Sequence, residues 1–159
     1  MKKKTVFITQ SALIAALYVV MTYISHLFGL ANGAVQIRLS EALTVLPAFT
    51  FSAVPGLFVG CLLSNILTGC ALWDILFGSL ATLLGALGTY YFGKKMYLSP
   101  VFPILANTLI VPPVLKLVYG ANEAYLYLTA TVFSGEVISC GICGIFLYKA
   151  LKKTNLFTR

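Results

Sequence analysis

Long apolar runs separated by short polar breaks make up most of this sequence. Six runs are predicted to be helical, over residues 6–30, 35–53, 57–67, 75–92, 101–118 and 124–148. A helix needs roughly 20 apolar residues to cross the hydrocarbon core of a bilayer, and all of the runs except 57–67 come close to that length. The pattern predicts an all-α integral membrane protein, with a compact bundle of six transmembrane helices in a single domain over residues 1–159.

The second and third runs leave two arrangements open. Pro55-Gly56 is predicted to form a turn between them, and the third run is short for a full crossing. The pair therefore forms either two crossings or a tilted, re-entrant hairpin. In both arrangements the pair begins and ends on the same side of the membrane, so the orientation of the other helices is unaffected.

The composition narrows the class of protein. Hydrophobic residues make up 60% of the chain and charged residues 9%, with a mean hydropathy of +0.96, whereas an ordinary soluble domain has about 25% charged residues. Six spans would use about 120 residues, which leaves too few for a second domain. A soluble enzyme, a nucleic-acid-binding module and a disordered tail are thereby excluded.

The basic residues predict the orientation. The net charge is +7, and with six crossings nine of the 11 Lys and Arg residues fall on one face: Lys2, Lys3, Lys4, Lys94, Lys95, Lys149, Lys152, Lys153 and Arg159. The positive-inside rule makes that face cytoplasmic. Both termini are therefore predicted to lie on the cytoplasmic side of the cell membrane. The first run is too long for the core of a signal peptide, which has about 7–15 residues, and is interpreted as a retained helix.

A few polar or ionisable side chains lie within or beside the apolar runs, where each buried charge costs about 2.5–3.5 kcal/mol on insertion scales. The candidate binding residues are Arg38, Glu41, Asn65, Trp73, Asp74, Asn107 and Glu136. Glu136 follows Glu123 by about 20 Å of helix, which places it near the middle of the bilayer. It is either a ligand or proton site or a carboxyl group satisfied by neighbouring helices.

Four of these candidates form two pairs along the sequence. Arg38 and Glu41 are three positions apart, hence on one helix face, and form either an interfacial ion pair or part of a binding site. Trp73 and Asp74 open the fourth run. They either anchor the helix at the interface or hold a flat nitrogenous ring, with the indole stacking and the carboxylate accepting N–H groups.

The remaining candidates have an equally plain alternative. Asn65 and Asn107 either contact a ligand or link two helices by hydrogen bonds. Cys140 and Cys143 are interpreted as small packing residues. With His26 as the one histidine, the usual ligands cannot assemble a zinc site. We therefore predict no metal, no cofactor and no catalytic residue.

Several motifs resemble the QueT family. They are the stretch 35–43 running on to Leu46-Pro47, then Pro55-Gly56, Gly60, Ser64-Asn65, Gly69 and the segment 74–78. The resemblance implies the six-helix fold of a substrate-binding (S) component of an energy-coupling factor (ECF) transporter. The implied function is capture of a queuosine precursor, aminomethyl-deazaguanine or a related deazapurine.

The resemblance also implies partners. A membrane coupling protein and two cytoplasmic ATPases would drive import, so this chain itself would not be an enzyme. In related S components an Ala-x-x-x-Ala on the first helix contacts the coupling protein. Ala12 and Ala16 match that spacing, with Ala15 adjoining.

A binding mode follows from the resemblance together with the charges. Asp74 or Glu41 is expected to accept hydrogen bonds from the N–H groups at the edge of the ring, and Trp73 to stack on the ring. Glu136 is expected to contact the amine of the ligand or the opposite edge of the ring. Arg38, Asn65 and Asn107 would orient the ligand or the loops. Three alternatives remain open: an S component for another small vitamin such as thiamine, a small oligomeric exporter or channel with Glu136 lining its pore, and a membrane-embedded enzyme.

Overall fold

The computed structural model describes residues 2–30, 35–120 and 122–154, and within these ranges the protein is helical with no β-strand. The elements are α1 (Lys2–Leu27), a 3-10 helix (Leu39–Ala48), α2 (Ala53–Leu67), α3 (Leu72–Phe92), α4 (Val101–Val118), α5 (Tyr125–Glu136), a π-helical segment (Val137–Cys143) and α6 (Gly144–Thr154). The last three follow one another without a break. The all-α fold class is confirmed.

Four helical stretches are long and apolar enough to cross a membrane: Lys3–Leu27, Leu72–Phe92, Val101–Val118 and Tyr125–Thr154. The 3-10 helix and α2 are shorter, with lengths of about 20 Å and about 22 Å from their rise per residue. The protein thus has the helices of a multi-pass membrane protein. The count of six full crossings and the cytoplasmic location of the termini stay predictions, and Arg159 lies outside the described residues.

The sequence-based boundary between the second and third runs was wrong. The turn lies at residues 49–52, and Pro55-Gly56 falls inside the first turn of α2. A proline is tolerated there because the first N–H groups of a helix have no intrahelical acceptor. Gly56 is needed for a different reason, since a Cβ at this position would lie 2.8 Å from the Ser11 carbonyl oxygen of α1.

The 3-10 helix is the central element of the bundle. All of its residues from Ser40 to Pro47 are buried, and α1, α2, α3, α6 and the π-helical segment all pack against it. A 3-10 helix has poorer hydrogen-bond geometry than an α-helix. Such backbone is tolerated at membrane depth where protein, not lipid, surrounds it.

The turn after the 3-10 helix lies at the same end of the bundle as the start of α1 and the end of α6. The Ser11 hydroxyl donates to the Ser52 carbonyl oxygen at 2.9 Å. The rings of Phe49 and Tyr148 are 4.6 Å apart, and the Tyr148 hydroxyl donates to the Lys94 carbonyl oxygen at 2.6 Å. We call this the basic end, because the chain there carries the lysines that the sequence analysis placed on one face.

At the opposite end, which we call the cavity end, α1, α2 and α4 finish and α3 begins. The Tyr119 hydroxyl, just past α4, accepts from the Ala71 backbone N–H at 3.0 Å. The extended segment before the 3-10 helix is held here by a hydrogen bond from the Ile37 N–H to the Leu30 carbonyl oxygen, at 2.9 Å. The hairpin of 3-10 helix and α2 therefore begins and ends at the cavity end; that this end faces one side of the membrane stays a prediction.

Gly60 of α2 provides a test of the α1–α2 contact. A Cβ at Gly60 would lie 2.8 Å from the Tyr18 Cβ and 3.0 Å from the Ala15 carbonyl oxygen. We expect Gly60→Ala to lower stability by about 1–3 kcal/mol, the usual cost of overpacking. The measurement is unfolding of the purified chain by SDS in mild detergent. Gly141→Ala is the matched control, because its Cβ would meet only Val137 Cγ1 at 3.7 Å; equal stability of the two variants would contradict a tight α1–α2 contact.

Candidate ligand-binding site

A polar cavity extends from the cavity end into the bundle as two connected chambers. The upper chamber has a volume of about 230 Å³, and its lining includes Thr22, His26, Arg38, Asn65, Asp74 and Tyr119. The lower chamber has a volume of about 30 Å³, and its lining includes Glu41, Cys61, Asn107 and Glu136. Gln36, Arg38, Asp74 and Val111 line both chambers, so the two form one site.

Two glutamates from distant parts of the chain meet in the lower chamber. Glu41 is on the 3-10 helix and is 2% exposed, while partly buried Glu136 is the last residue of α5. A carboxylate oxygen of each and the Cys140 Sγ all lie within 4.8 Å of one another. The Cys140 thiol donates to Glu136 Oε2 at 3.1 Å and faces Glu41 Oε2 at 4.0 Å. The site therefore holds two carboxyl groups at close range.

Uncharged polar side chains lie next to the two glutamates. The Tyr18 hydroxyl of α1 donates to Glu41 Oε1. Asn107 of α4 lines the same chamber as both glutamates and is buried. Side chains of α1 and α4 thus flank the pair.

The π-helical segment begins directly after Glu136. π-Helical turns are rare and occur frequently at functional sites. Here Glu136 and Cys140 are four positions apart. The Cys140 Sγ is 3.4 Å from the Glu41 carbonyl oxygen of the 3-10 helix, and a carboxylate oxygen of Glu136 lies within 4.8 Å of one of Glu41. Cys140 was interpreted from the sequence as a packing residue, whereas its thiol donates to Glu136 Oε2 and lies 4.0 Å from Glu41 Oε2.

Arg38 does not share a helix face with Glu41, which corrects the sequence-based expectation. It precedes the 3-10 helix with an extended backbone (φ −106°, ψ 105°), so the i, i+3 geometry of a helix does not apply to the pair. Its guanidinium Nη1 donates to Asn65 Oδ1 at 3.4 Å. Arg38 and Asn65 are thereby brought together on the wall of the upper chamber.

Asp74 lies where the two chambers join. It is in the first turn of α3 and only 7% exposed, and the Tyr119 hydroxyl donates to its Oδ2 at 3.3 Å. Loss of solvent raises the pKa of Tyr119, which keeps this hydroxyl a donor. Asp74 lines both chambers.

Trp73 is not part of this cavity. Its side chain is 54% exposed and stacks on Phe77 with ring centroids 5.9 Å apart. Successive residues of a helix point in directions about 100° apart, so burial of Asp74 turns the neighbouring indole outward. The indole lies on the outer surface of the helices, among apolar residues of α3 and α4.

The comparisons with known proteins agree with one another. The QueT transporter family model matches residues 8–153, and this match covers nearly the whole chain. The chain belongs to the QueT transporter family. It is also 29% identical over 167 residues to a queuosine precursor transporter QueT of Lactococcus lactis subsp. cremoris (strain MG1363), covering 98% of each chain. No solved structure matches.

Of the seven binding residues expected in this QueT-family chain, six lie together around the two chambers. They are Arg38, Glu41, Asn65, Asp74, Asn107 and Glu136. The outward position of Trp73 makes it the exception.

The three alanines of α1 that were expected to contact a partner protein differ in exposure. Ala12 and Ala16 are exposed, whereas Ala15 is 7% exposed and packs against Gly60 of α2.

A polar stripe on α1 was not predicted from the sequence. Tyr18, Thr22 and Ser25 recur at the i, i+4, i+7 spacing of one helix face. The Thr22 hydroxyl donates to Ser40 Oγ at 2.8 Å, and Ser25 Oγ accepts from the Leu39 N–H at 2.9 Å. A stripe of hydroxyl groups along an otherwise apolar span was the signal that α1 packs against a polar partner.

Glu41, Glu136 and Cys140 form a cluster that contains a hydrogen bond from the Cys140 thiol to Glu136. The ligand atoms of these three residues lie within 4.8 Å of one another, a spacing that could also hold a metal ion, and a bound metal would displace the thiol proton. That this chain binds no metal stays a prediction.

Proposed function

We propose that this chain captures a queuosine precursor, aminomethyl-deazaguanine or a related deazapurine, as the substrate-binding subunit of an ECF-type importer. One observation carries the proposal: three carboxyl groups, of Glu41, Asp74 and Glu136, meet in a single cavity within apolar helices. Buried carboxylates require donors or cations as partners. An aminomethyl-deazaguanine offers a cationic amine and a ring edge with adjacent N–H donors.

The shape of the cavity supports one orientation of this ligand. Pockets for drug-sized ligands have volumes of about 300–1,000 Å³, so the upper chamber of about 230 Å³ suits a smaller bicyclic ring. The lower chamber, about 30 Å³, is large enough for one or two small groups. In the proposed orientation the ring occupies the upper chamber, with its N–H edge on Asp74, and the amine reaches Glu41 and Glu136.

Polar side chains on the chamber wall would fix the ring in this orientation. Gln36 and Arg38 line both chambers and have donors for the ring carbonyl oxygen. Asn65 holds the Arg38 guanidinium, and Asn107 lies beside the carboxyl pair. Trp73 is assigned no part in the binding mode, because its indole lies outside the cavity.

The import step would require partners, a membrane coupling protein and two cytoplasmic ATPases. Ala12 and Ala16 lie one helical turn apart and are both exposed on α1. Small side chains in this spacing permit a second helix to approach closely. We propose this face of α1 as the contact with the coupling protein, with the basic end of the bundle facing the cytoplasm.

Calorimetric titration of the purified chain with aminomethyl-deazaguanine tests the proposal. We expect tight binding with one ligand per chain. Guanine should bind much more weakly, because it lacks the cationic aminomethyl group that would contact the Glu41–Glu136 pair. Thiamine is the control for a general affinity for small nitrogenous cations. Binding of thiamine in preference to the deazapurine, or of neither ligand, would contradict the ligand assignment.

A further inference from the structure

Two acidic groups face each other in the lower chamber, and among the residues that the structure describes no basic side chain lies between them. Glu41 and Glu136 present carboxylate oxygens within 4.8 Å of each other. The donors to them, Tyr18 and Cys140, are uncharged, as is Asn107 in the lining beside them. Two carboxylates at such range in a low-dielectric site do not both stay ionised, and the usual solution is one shared proton.

The other charged groups around the lower chamber offset one another. The titratable groups that face the pair are Tyr18 on α1, Arg38 before the 3-10 helix, Cys61 on α2, Asp74 on α3 and Cys140 in the π-helical segment; α4 contributes the neutral Asn107. The single positive charge of Arg38 and the single negative charge of Asp74 balance, and the tyrosine and cysteines are neutral. The net charge of the chamber is therefore the charge of the glutamate pair.

We propose that the Glu41–Glu136 pair holds one proton in the empty site and releases it when the cationic amine of the ligand binds, so that capture is an exchange of one proton for one ammonium group. This inference rests on the proposed function and adds how the site is charged. One O–H bond of the pair breaks, the proton leaves through the upper chamber to the solvent, and the ammonium group takes its place with all of its own protons.

This exchange keeps the charge of the buried site constant. Before binding, the pair with one proton has a charge of −1; after binding, two carboxylates and one ammonium also sum to −1. A change in net charge inside a low-dielectric site is costly, and exchange avoids it. The small volume of the lower chamber, about 30 Å³, leaves room for an ammonium group but not for the ring.

Calorimetry in two buffers of equal pH and different ionisation enthalpy counts the protons that are released. We expect about one proton per aminomethyl-deazaguanine bound, because an alkylammonium is fully protonated at neutral pH, and about none for 7-deazaguanine, which lacks the amine. The affinity for the amine should fall about tenfold for each pH unit on the acid side of the pair's titration, while the affinity for 7-deazaguanine stays constant.

The Glu136→Gln variant should bind the amine without releasing a proton, because a single remaining carboxylate has no proton to share. In the ligand-free wild type, infrared spectroscopy should show the band of a protonated carboxyl group, which Glu136→Gln loses. Glu123→Gln is the matched control and should keep the band, since Glu123 lies outside both chambers.

The outcomes separate this inference from the proposed function. If the amine binds tightly without proton release, or if the ligand-free protein lacks the carboxyl band, the exchange is wrong and the proposed function stands. If neither deazapurine binds, the proposed function is wrong and the exchange falls with it. Equal proton release by both deazapurines would also overturn the exchange, because the amine would then not be the group that displaces the proton.

Discussion

Replacing Asp74 with Asn is expected to weaken the binding of aminomethyl-deazaguanine by about 100-fold, which lies in the range for truncating one partner of a buried charged hydrogen bond. Asp74 is 7% exposed at the junction of the two chambers. The change substitutes an amide for a carboxylate oxygen that the proposed ligand meets with its N–H edge. An amide N–H facing a ring N–H also leaves both donors unsatisfied.

Calorimetric titration of the purified variant measures this loss. Glu123→Gln is the matched control, because it removes an acid that lines neither chamber, and its affinity should equal that of the wild type. The loss at Asp74 should be similar for 7-deazaguanine, since the two ligands share the ring edge. Unchanged affinity of Asp74→Asn for both ligands would remove Asp74 from the binding site.

The Gly135→Ala variant is expected to lose ligand binding to a similar extent, about 100-fold, because a displacement of about 1 Å in a positioned site can have that effect. A Cβ at Gly135 would lie 2.2 Å from the Gln36 carbonyl oxygen. This distance is far too short for a nonbonded contact, so the extended segment with Gln36 and Arg38 must move. Both side chains line the two chambers, and their displacement would misplace the wall that faces the ring.

The matched control for Gly135→Ala is Gly141→Ala in the π-helical segment, where an added Cβ makes only an ordinary contact with Val137 at 3.7 Å. Calorimetry should detect a large loss of affinity in the first variant and none in the second. SDS unfolding should show that Gly135→Ala remains folded, because Gln36, whose carbonyl group must move, is an exposed residue. Equal affinity in both variants would mean that the segment does not position the ligand.

Both predictions depend on a site that the sequence located residue by residue but did not assemble. Ionisable and amide side chains are rare in apolar runs, and their cost in a membrane marked six of the residues that line the cavity. The same reasoning included Trp73, because adjacency to Asp74 suggests a shared role. On a helix, adjacent side chains diverge, and burial of Asp74 placed Trp73 on the outer surface.

In the second and third runs the hydrophobic pattern did not predict the secondary structure correctly. Pattern and turn residues predicted a turn at Pro55-Gly56, but proline is compatible with both a turn and the first turn of a helix. The buried 3-10 helix was not predicted either, because Ser40, Glu41 and Thr44 become favourable core residues only when α1 and the π-helical segment supply their partners.

The sequence by itself determined the membrane class, the helical fold and the family, because apolar length, charge content and motif identity are local properties of the chain. The tertiary structure alone decided which polar groups meet. Glu41 and Cys140 are 99 positions apart yet share a hydrogen-bonded cluster with Glu136, since packing around the central 3-10 helix brings their elements together. Contacts of this range follow from the three-dimensional arrangement of helices, which no local pattern along the chain specifies.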